Sequence, residues 1–396
     1  MSRLSDFLFY EEPGITLYCG DAMMILRELP PASVHCCVTS PPYWGLRDYG
    51  TATWAGGEAD CDHAESTPSR RAASVASSGL DGSRETIHAS HQFKGDCRRC
   101  GARRIDVQLG LEPTPELYVS HLVMIFREVR RVLRDDGTLW LNLGDSYATG
   151  AGSVGMRPGG GAQGDAWNGH RGSRGGSAKQ PHTGSAIGPM TQPNRMPIAG
   201  LKPKDLVGVP WRVAFALQAD GWWLRSDIIW HKPNPMPESV VDRPTKAHEY
   251  LFLLAKSERY YYDAEASAEP ARHAGRIVEY DGSQKNCSAG DGVNDRRTLI
   301  DRTIVVGSTR NRRTVWTIAT EPYPEAHFAT FPPDLVKPCI LAGCPSGGTV
   351  LDPFGGALTT VHVAKELGRR AVAIELNRSY LTMGLKRLRQ EVLPLA

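Results

Sequence analysis

The sequence predicts an α/β protein built on a doubly wound, mostly parallel sheet that carries polar insertions. Three observations lead there. Short β-prone runs alternate with helical stretches along most of the chain. Two of those runs open into loops of distinctive chemistry, Ser40-Pro41-Pro42-Tyr43-Trp44 and Asp352-Pro353-Phe354-Gly355-Gly356. The core-like segments are separated by three polar stretches without apolar periodicity.

Taken in order, ITLYC at 15–19 reads as a strand, followed by Gly20-Asp21 and a helix over 22–29. VHCCVT at 34–39 is a second strand. It must stop at Ser40, because two successive prolines cannot continue a central strand. A polar, Ser- and Arg-rich insertion runs from 58 to about 104. Helical spacing resumes over 114–133 with Val119, Leu122, Val123, Phe126, Val129, Val132 and Leu133. Asp136-Gly137 closes that helix, and TLWLNL at 138–143 reads as a buried strand. Residues 148–200 are Gly-, Ser- and Pro-rich and predict a flexible loop. A helix at 210–219 and strands at 222–230 and 250–254 follow. The stretch 264–313 is polar again, with Arg296, Arg297, Arg302, Arg310, Arg312 and Arg313 late in it. The last block reads helix 333–342, strand 349–351, Gly loop, helix 359–367, strand 371–374 and helix 379–389, with no internal repeat anywhere.

The chain has 396 residues, 41% of them hydrophobic, enough for one large core with insertions. No apolar run approaches the length of a membrane span, and residues 1–10 lack a signal-peptide layout, so a cytoplasmic protein without membrane contact is expected. A net charge of +3 does not by itself announce a nucleic-acid partner; only local basic surface could. Nine cysteines, odd in number and unevenly spaced, favour free thiols or metal ligands over a disulfide framework. Cys97-Arg98-Arg99-Cys100-Gly101 has the C-x-x-C-G form of a zinc knuckle. Cys61 and His63 complete a tetrahedral set, with His88 and His91 as substitutes for His63.

At the carboxyl end, a strand runs through Asp352 into a Gly turn that opens a helix, and Glu375 ends the next strand. Glycine permits close backbone approach to a ligand, and an acid closing the second strand can hold ribose hydroxyls. That pattern alone also fits tight helix–strand packing. In the first half, a proline-stiffened turn places a hydroxyl and two large rings just past a buried strand, a surface able to receive a planar base.

Thr39-Ser40-Pro41-Pro42-Tyr43-Trp44 followed much later by Asp352-Pro353-Phe354-Gly355-Gly356 resembles the β group of DNA amino-methyltransferases, whose catalytic motif precedes the cofactor loop. HFATFP at 327–332, residues 141–147 and IIWHKP at 228–233 resemble further family segments. The resemblance implies a Rossmann-like methyltransferase core, S-adenosylmethionine as methyl donor, and methylation of the exocyclic amine of a flipped base in double-stranded DNA. By the same resemblance Asp21, Phe331, Pro332, Asp352, Pro353, Phe354, Gly355, Gly356 and Glu375 hold the cofactor, while Ser40, Pro41, Pro42, Tyr43 and Trp44 form the catalytic, base-holding loop. Ser before Pro-Pro-Tyr leans towards cytosine N4, with adenine N6 as the alternative. A homodimer and a cognate restriction nuclease are partners the resemblance admits.

On this reading residues 1–57 begin the catalytic half, 58–106 are the zinc-knuckle insertion, and 107–147 and 201–263 are core. Residues 148–200 form the flexible loop, 264–315 the target-recognition region and 316–396 the cofactor-binding half. Arg157, His170, Arg171, Arg174 and Lys179 in the flexible loop are further DNA-contact candidates. One departure stands out: Ala357-Leu358 replaces the family's usual Ser-Gly. Leu does not enter positive φ as cheaply as Gly, so this pair is the one feature favouring a catalytically degenerate DNA-binding module. Pro338-Cys339 offers the dipeptide used for cytosine carbon-5 methylation, but it lies on an expected core helix, where Cys is a small apolar residue.

Overall fold

The computed structural model describes residues 4–45, 51–58, 60–63, 92–97, 99–148, 200–280, 302–305, 307–321 and 331–390. Residues 149–199, expected from the sequence to form a flexible loop with basic DNA-contact side chains, lie outside them, as do His88, His91, Arg296, Arg297 and 327–330.

The described strands are β1 (Leu8–Glu12), β2 (Ile15–Cys19), β3 (Val34–Thr39), β4 (Thr53–Ala55), β5 (Gln92–Asp96), β6 (Arg103–Asp106), β7 (Leu133–Leu143) and β8 (Trp223–His231). They continue with β9 (His248–Ala255), β10 (Glu269–Pro270), β11 (Ile277–Tyr280), β12 (Arg302–Val305), β13 (Thr309–Arg310), β14 (Val315–Thr317), β15 (Thr349–Asp352) and β16 (Arg370–Glu375). The α-helices are α1 (Ala22–Glu28), α2 (Pro115–Val132), α3 (Val209–Ala219), α4 (Pro333–Gly343), α5 (Thr359–Glu366) and α6 (Arg378–Gln390). None of the described helices is long and apolar enough to cross a membrane.

Nine strands form one sheet in the order β1-β2-β16-β15-β3-β7-β9-β8-β14. From β2 to β7 every pairing is parallel, as expected for strands separated by helices. Two strands reverse: β1 returns on β2 as an edge hairpin, and β9 runs antiparallel between β7 and β8. The alternation of side chains along each strand divides the core in two. Cys37, Leu139, Leu141, Leu143, Phe252 and Leu254 face α1, α2 and α3 in one cluster. Cys36, Val38, Trp140, Leu251 and Leu253 face α4, α5 and α6 in the other. Fully covered on both faces, the central strands read as continuous apolar runs.

Helix α2 shows why these residues fold as they do. Thr114 caps it by accepting from Leu117 N at 3.2 Å, Pro115 occupies the first turn, and Arg130 and Arg131 close the last. Tyr118, Leu122, Ile125, Phe126, Val129 and Val132 form its buried stripe, each burial stabilising by about 1.5–3 kcal/mol. The Asp136-Gly137 turn is absorbed rather than free: β7 already begins at Leu133, paired with Val34, and the register then jumps so that Cys36 meets Thr138. Residues 134–137 are thus a bulge in the strand's first turn. The first polar insertion supplies β5 and β6, which pair with β4 just ahead of it as β4-β6-β5, and the third carries the pairs β10-β13 and β11-β12.

Candidate active site

Strands β2, β3, β7, β15 and β16 all deliver their carboxyl ends to one edge of the sheet. The chain leaves β15 towards β16 on one side and β3 towards β7 on the other. The gap between β15 and β3 is therefore the topological switch point, where open α/β sheets bind ligands. Across it, Thr39 Oγ1 donates to Asp352 Oδ1 at 2.7 Å. Two loops 313 positions apart in sequence meet there through a buried hydrogen bond.

On the β15 side, Asp352 is only 1% exposed. Besides Thr39 it accepts from Thr360 Oγ1 at 2.7 Å and Phe354 N at 3.1 Å. Burial raises its pKa, and these three hydrogen bonds oppose the rise. Asp352 thus shapes the loop from beneath. Glu375 accepts from Gly356 N and Asn377 N, both at 2.8 Å, and burial pushes its pKa up to about 6. Gly20 N donates to the Glu375 carbonyl and Gly355 N to that of Ile374, tying three strand ends together. A Cβ on Gly355 would lie 3.1 Å from the Ala373 Cβ, so the loop hugs β16. Pro353 is buried, and Phe354 packs against the first core cluster. Asp21 caps α1 by accepting from Met24 N at 2.9 Å. Phe331 packs on the second core cluster, and Pro332 occupies the N-cap of α4.

Leu358 does adopt the left-handed conformation, at φ 62° and ψ 28°. The cost, about 1–2 kcal/mol, is offset by burial worth about 1.5–3 kcal/mol. Its side chain is 1% exposed and lies on Gly384 of α6, where a Cβ would come within 2.6 Å of Leu358 Cγ. The loop turns as a glycine would turn it, and the helix makes room.

On the β3 side, the Tyr43 hydroxyl lies 2.7 Å from Glu249 Oε2 and 2.8 Å from Asn142 Oδ1. Ser40 Oγ is 3.3 Å from both Tyr43 Oη and Asn142 Oδ1. Asn142 Nδ2 donates to the Tyr250 carbonyl at 3.1 Å, which fixes the amide so that its oxygen faces the loop. Burial, with the Glu249 carboxylate second, holds the Tyr43 pKa well above its ordinary value, so the phenol stays protonated. The backbone is fastened from behind: Tyr118 Oη donates to the Pro42 carbonyl at 2.8 Å and Trp44 Nε1 to that of Glu112 at 2.9 Å. Pro41 is buried beneath. Trp44, 1% exposed, is therefore an anchor of the loop and not a face offered to a ligand.

Four residues of this constellation went unassigned in the sequence. Asn142 interrupts the buried apolar run Leu139–Leu143 of β7, a signal in itself. Gly144 follows that strand directly, and a Cβ there would sit 2.4 Å from the Tyr43 ring, so glycine lets the ring approach the backbone closely. Glu249 stands at the start of β9, which reaches the ligand edge only because β9 is reversed. Lys232, the residue after β8, pairs with Glu249 and lies 4.2 Å from the Trp230 ring centroid.

Other candidates fall elsewhere. Cys339 is wholly buried on α4, donates to the Leu335 carbonyl at 3.2 Å, and has its thiol pKa raised by burial, the opposite of an activated nucleophile. The arginines expected to read DNA are partly committed within the protein. Arg310 and Arg313 both pair with Glu269, at 2.8 and 2.6 Å, and Arg312 donates to the Ser267 carbonyl while lying over Trp316. Cys61, His63, Cys97 and Cys100 come together, their ligand atoms all within 4.8 Å of one another.

A family model described as DNA methylase, of the N6/N4 type, matches residues 34–386. The chain belongs to that DNA methylase family. Among relatives of the methylase, the Type II methyltransferase M.Cfr9I of Citrobacter freundii is 41% identical over 96% of this chain and 89% of its own. The Type II methyltransferase M.SmaI of Serratia marcescens is 40% identical over 93% of this chain and 89% of its own. In structure the methylase is similar to the cytosine-N4-specific PvuII DNA methyltransferase, with a TM-score of 0.51, 14% identity, and coverage of 96% of this chain and 87% of that one. At that identity the likeness speaks for the fold.

Proposed function

We propose that the chain transfers a methyl group from S-adenosylmethionine to the N4 amine of a cytosine extruded from double-stranded DNA. The Thr39–Asp352 hydrogen bond carries this reading, because it sets the Ser-Pro-Pro-Tyr loop beside the Gly loop at the switch point. The residues present fit the cofactor. The Gly loop lies close against β16, and the carboxylates of Glu375 and Asp21 stand at adjoining strand ends, suited to hydroxyl and ammonium donors. The bound donor supplies a methyl already activated on a sulfonium.

The protein's own work is placement. The Tyr43 ring, with Gly144 close beside it, is the surface that receives a flipped base. Ser40 Oγ and the Pro41 carbonyl accept hydrogen bonds from the base amine, favouring the tetrahedral nitrogen that forms as the N–CH3 bond replaces the S–CH3 bond, and the surplus proton then leaves the nitrogen for solvent. Asn142 and Glu249 hold the Tyr43 hydroxyl, and through it the pitch of the ring. Methylation at nitrogen needs no thiolate, in keeping with the buried, protonated Cys339. Serine at position 40 favours cytosine. The Type II naming of the relatives supports a cognate restriction nuclease as the partner activity.

Sequencing DNA from cells expressing the chain, with a method that separates N4-methylcytosine from N6-methyladenine, tests the proposal. N4-methylcytosine at one recurrent sequence is expected; N6-methyladenine would overturn the base assignment, and no modified base would overturn the activity.

A further inference from the structure

We propose that Cys61, His63, Cys97 and Cys100 bind one structural zinc ion, and that this ion holds the segment backing the target-base loop. The four ligand atoms come from two places in the chain and lie within 4.8 Å of one another. Cys61 Sγ and Cys97 Sγ are 3.8 Å apart, and Cys100 Sγ and His63 Nδ1 are 3.3 Å apart. A tetrahedral zinc with Zn–S of about 2.3 Å and Zn–N of about 2.0 Å requires separations of about 3.8 and 3.5 Å. The three cysteines form no disulfide, and three thiols with one imidazole are the soft donor set that selects zinc.

The surroundings are those of a knuckle. Cys97 N donates to the Ala102 carbonyl at 2.7 Å and Gly101 N to that of Cys97 at 2.9 Å, closing the turn. Gly101 takes φ 73° at its tip, and Arg99 N points to Cys97 Sγ at 3.5 Å. Backbone N–H groups aimed at sulfur stabilise thiolate, the form that ligates metal. Gly57, at φ 76°, has no room for a side chain: a Cβ would lie 2.7 Å from Cys100 Sγ. Trp54 stacks on the His63 ring at 4.8 Å between centroids, and Arg99 reaches across to the Asp62 carbonyl at 3.1 Å. The first steadies the ligand ring, and the second ties the 61–63 segment to the 97–100 turn.

The link to the active site runs through β6. That strand pairs with both β4 and β5 and leads into 107–112. There the Gly110 carbonyl accepts from Gly45 N at 2.8 Å and the Glu112 carbonyl from Trp44 Nε1. A Cβ on Gly110 would sit 2.8 Å from the Tyr43 carbonyl, so this segment is the wall against which the catalytic loop lies. A sheet of three short strands gains from a staple that holds such a wall in register.

The full-length protein, purified without chelator, should contain about one zinc per chain by elemental analysis. Cobalt substituted for it should give the strong thiolate charge-transfer and d–d absorption of a tetrahedral site. The double variant Cys97→Ser/Cys100→Ser should lose the metal, whereas His63→Cys should retain it as a four-thiolate site. Metal loss should lower kcat/KM for DNA about tenfold or more while the Kd for S-adenosylmethionine stays within about twofold. Zinc content near zero in active protein, zinc retained by the double variant, or cobalt without thiolate absorption would each overturn the site. A metal-free protein with unchanged kcat/KM would overturn its role. The metal readings stand whether or not the double variant folds, because the parent protein and His63→Cys carry them.

Discussion

Glu375 commits both carboxylate oxygens to backbone N–H groups, yet burial still lifts its pKa from 4.5 to about 6. Because the folded value is the higher one, its contribution to stability is complete below 4.5 and is lost as pH rises through about 6. The loss is on the order of 2 kcal/mol. Cofactor affinity should move the other way. The ionised carboxylate accepts hydroxyl donors and attracts a sulfonium, so calorimetric titration should show binding tightening as pH rises through about 6, with a flatter profile in Glu375→Gln. Leu358 gives a second expectation at this scale. Leu358→Gly relieves about 1–2 kcal/mol of left-handed strain but leaves a cavity costing about 2–5 kcal/mol, so the variant should melt lower than the parent. Gly384→Ala should destabilise by about 1–3 kcal/mol, since its new methyl meets Leu358 from the other side. Tyr43→Ala should abolish methylation while cofactor binding persists; parental activity in that variant would refute the base-receiving ring.

Among the elements, β7 does the most to position the site, and its last turn makes a separate prediction. Asp145 Oδ1 accepts from Gly208 N and Val209 N, both at 3.0 Å, so the loop after β7 caps α3. Asp145→Ala should lower stability by about 1–2 kcal/mol in chemical denaturation, with the slope of the transition unchanged. Gly144→Ala should tilt the Tyr43 ring and lower kcat with little effect on cofactor Kd, readable in steady-state kinetics. Helices and central strands were legible in the sequence because apolar periodicity and covered faces leave a strong record in α2, β3, β7 and β15. Strands such as β10 and β13, two residues each and held by a single pairing, leave none. The direction of β9 was equally invisible. It depends on how three strands pair, and Glu249 gains its place beside Tyr43 from that direction alone.

For the molecule as a whole, the two motif loops could be read from residue types, but what unites them could not. Thr39 looked like the end of a strand and Asp352 like a cofactor ligand; the fold turns them into a buried pair. Asp352→Ala should therefore impair both cofactor binding and methylation, and Thr39→Val, which keeps volume but removes the donor, should depress the rate more than the affinity. Equilibrium binding and single-turnover rates measured side by side distinguish the two variants. Adjacent strands sit about 4.8 Å apart wherever they pair. Since β3 and β15 are such neighbours, the reach from donor to acceptor is inherited from sheet spacing, a length that backbone pairing fixes to fractions of an ångström. The catalytic gauge is thus ruled by the scaffold, and substitutions deep under β3 or β15 that nudge one strand along the other would throw the reacting atoms out of line without touching either ligand.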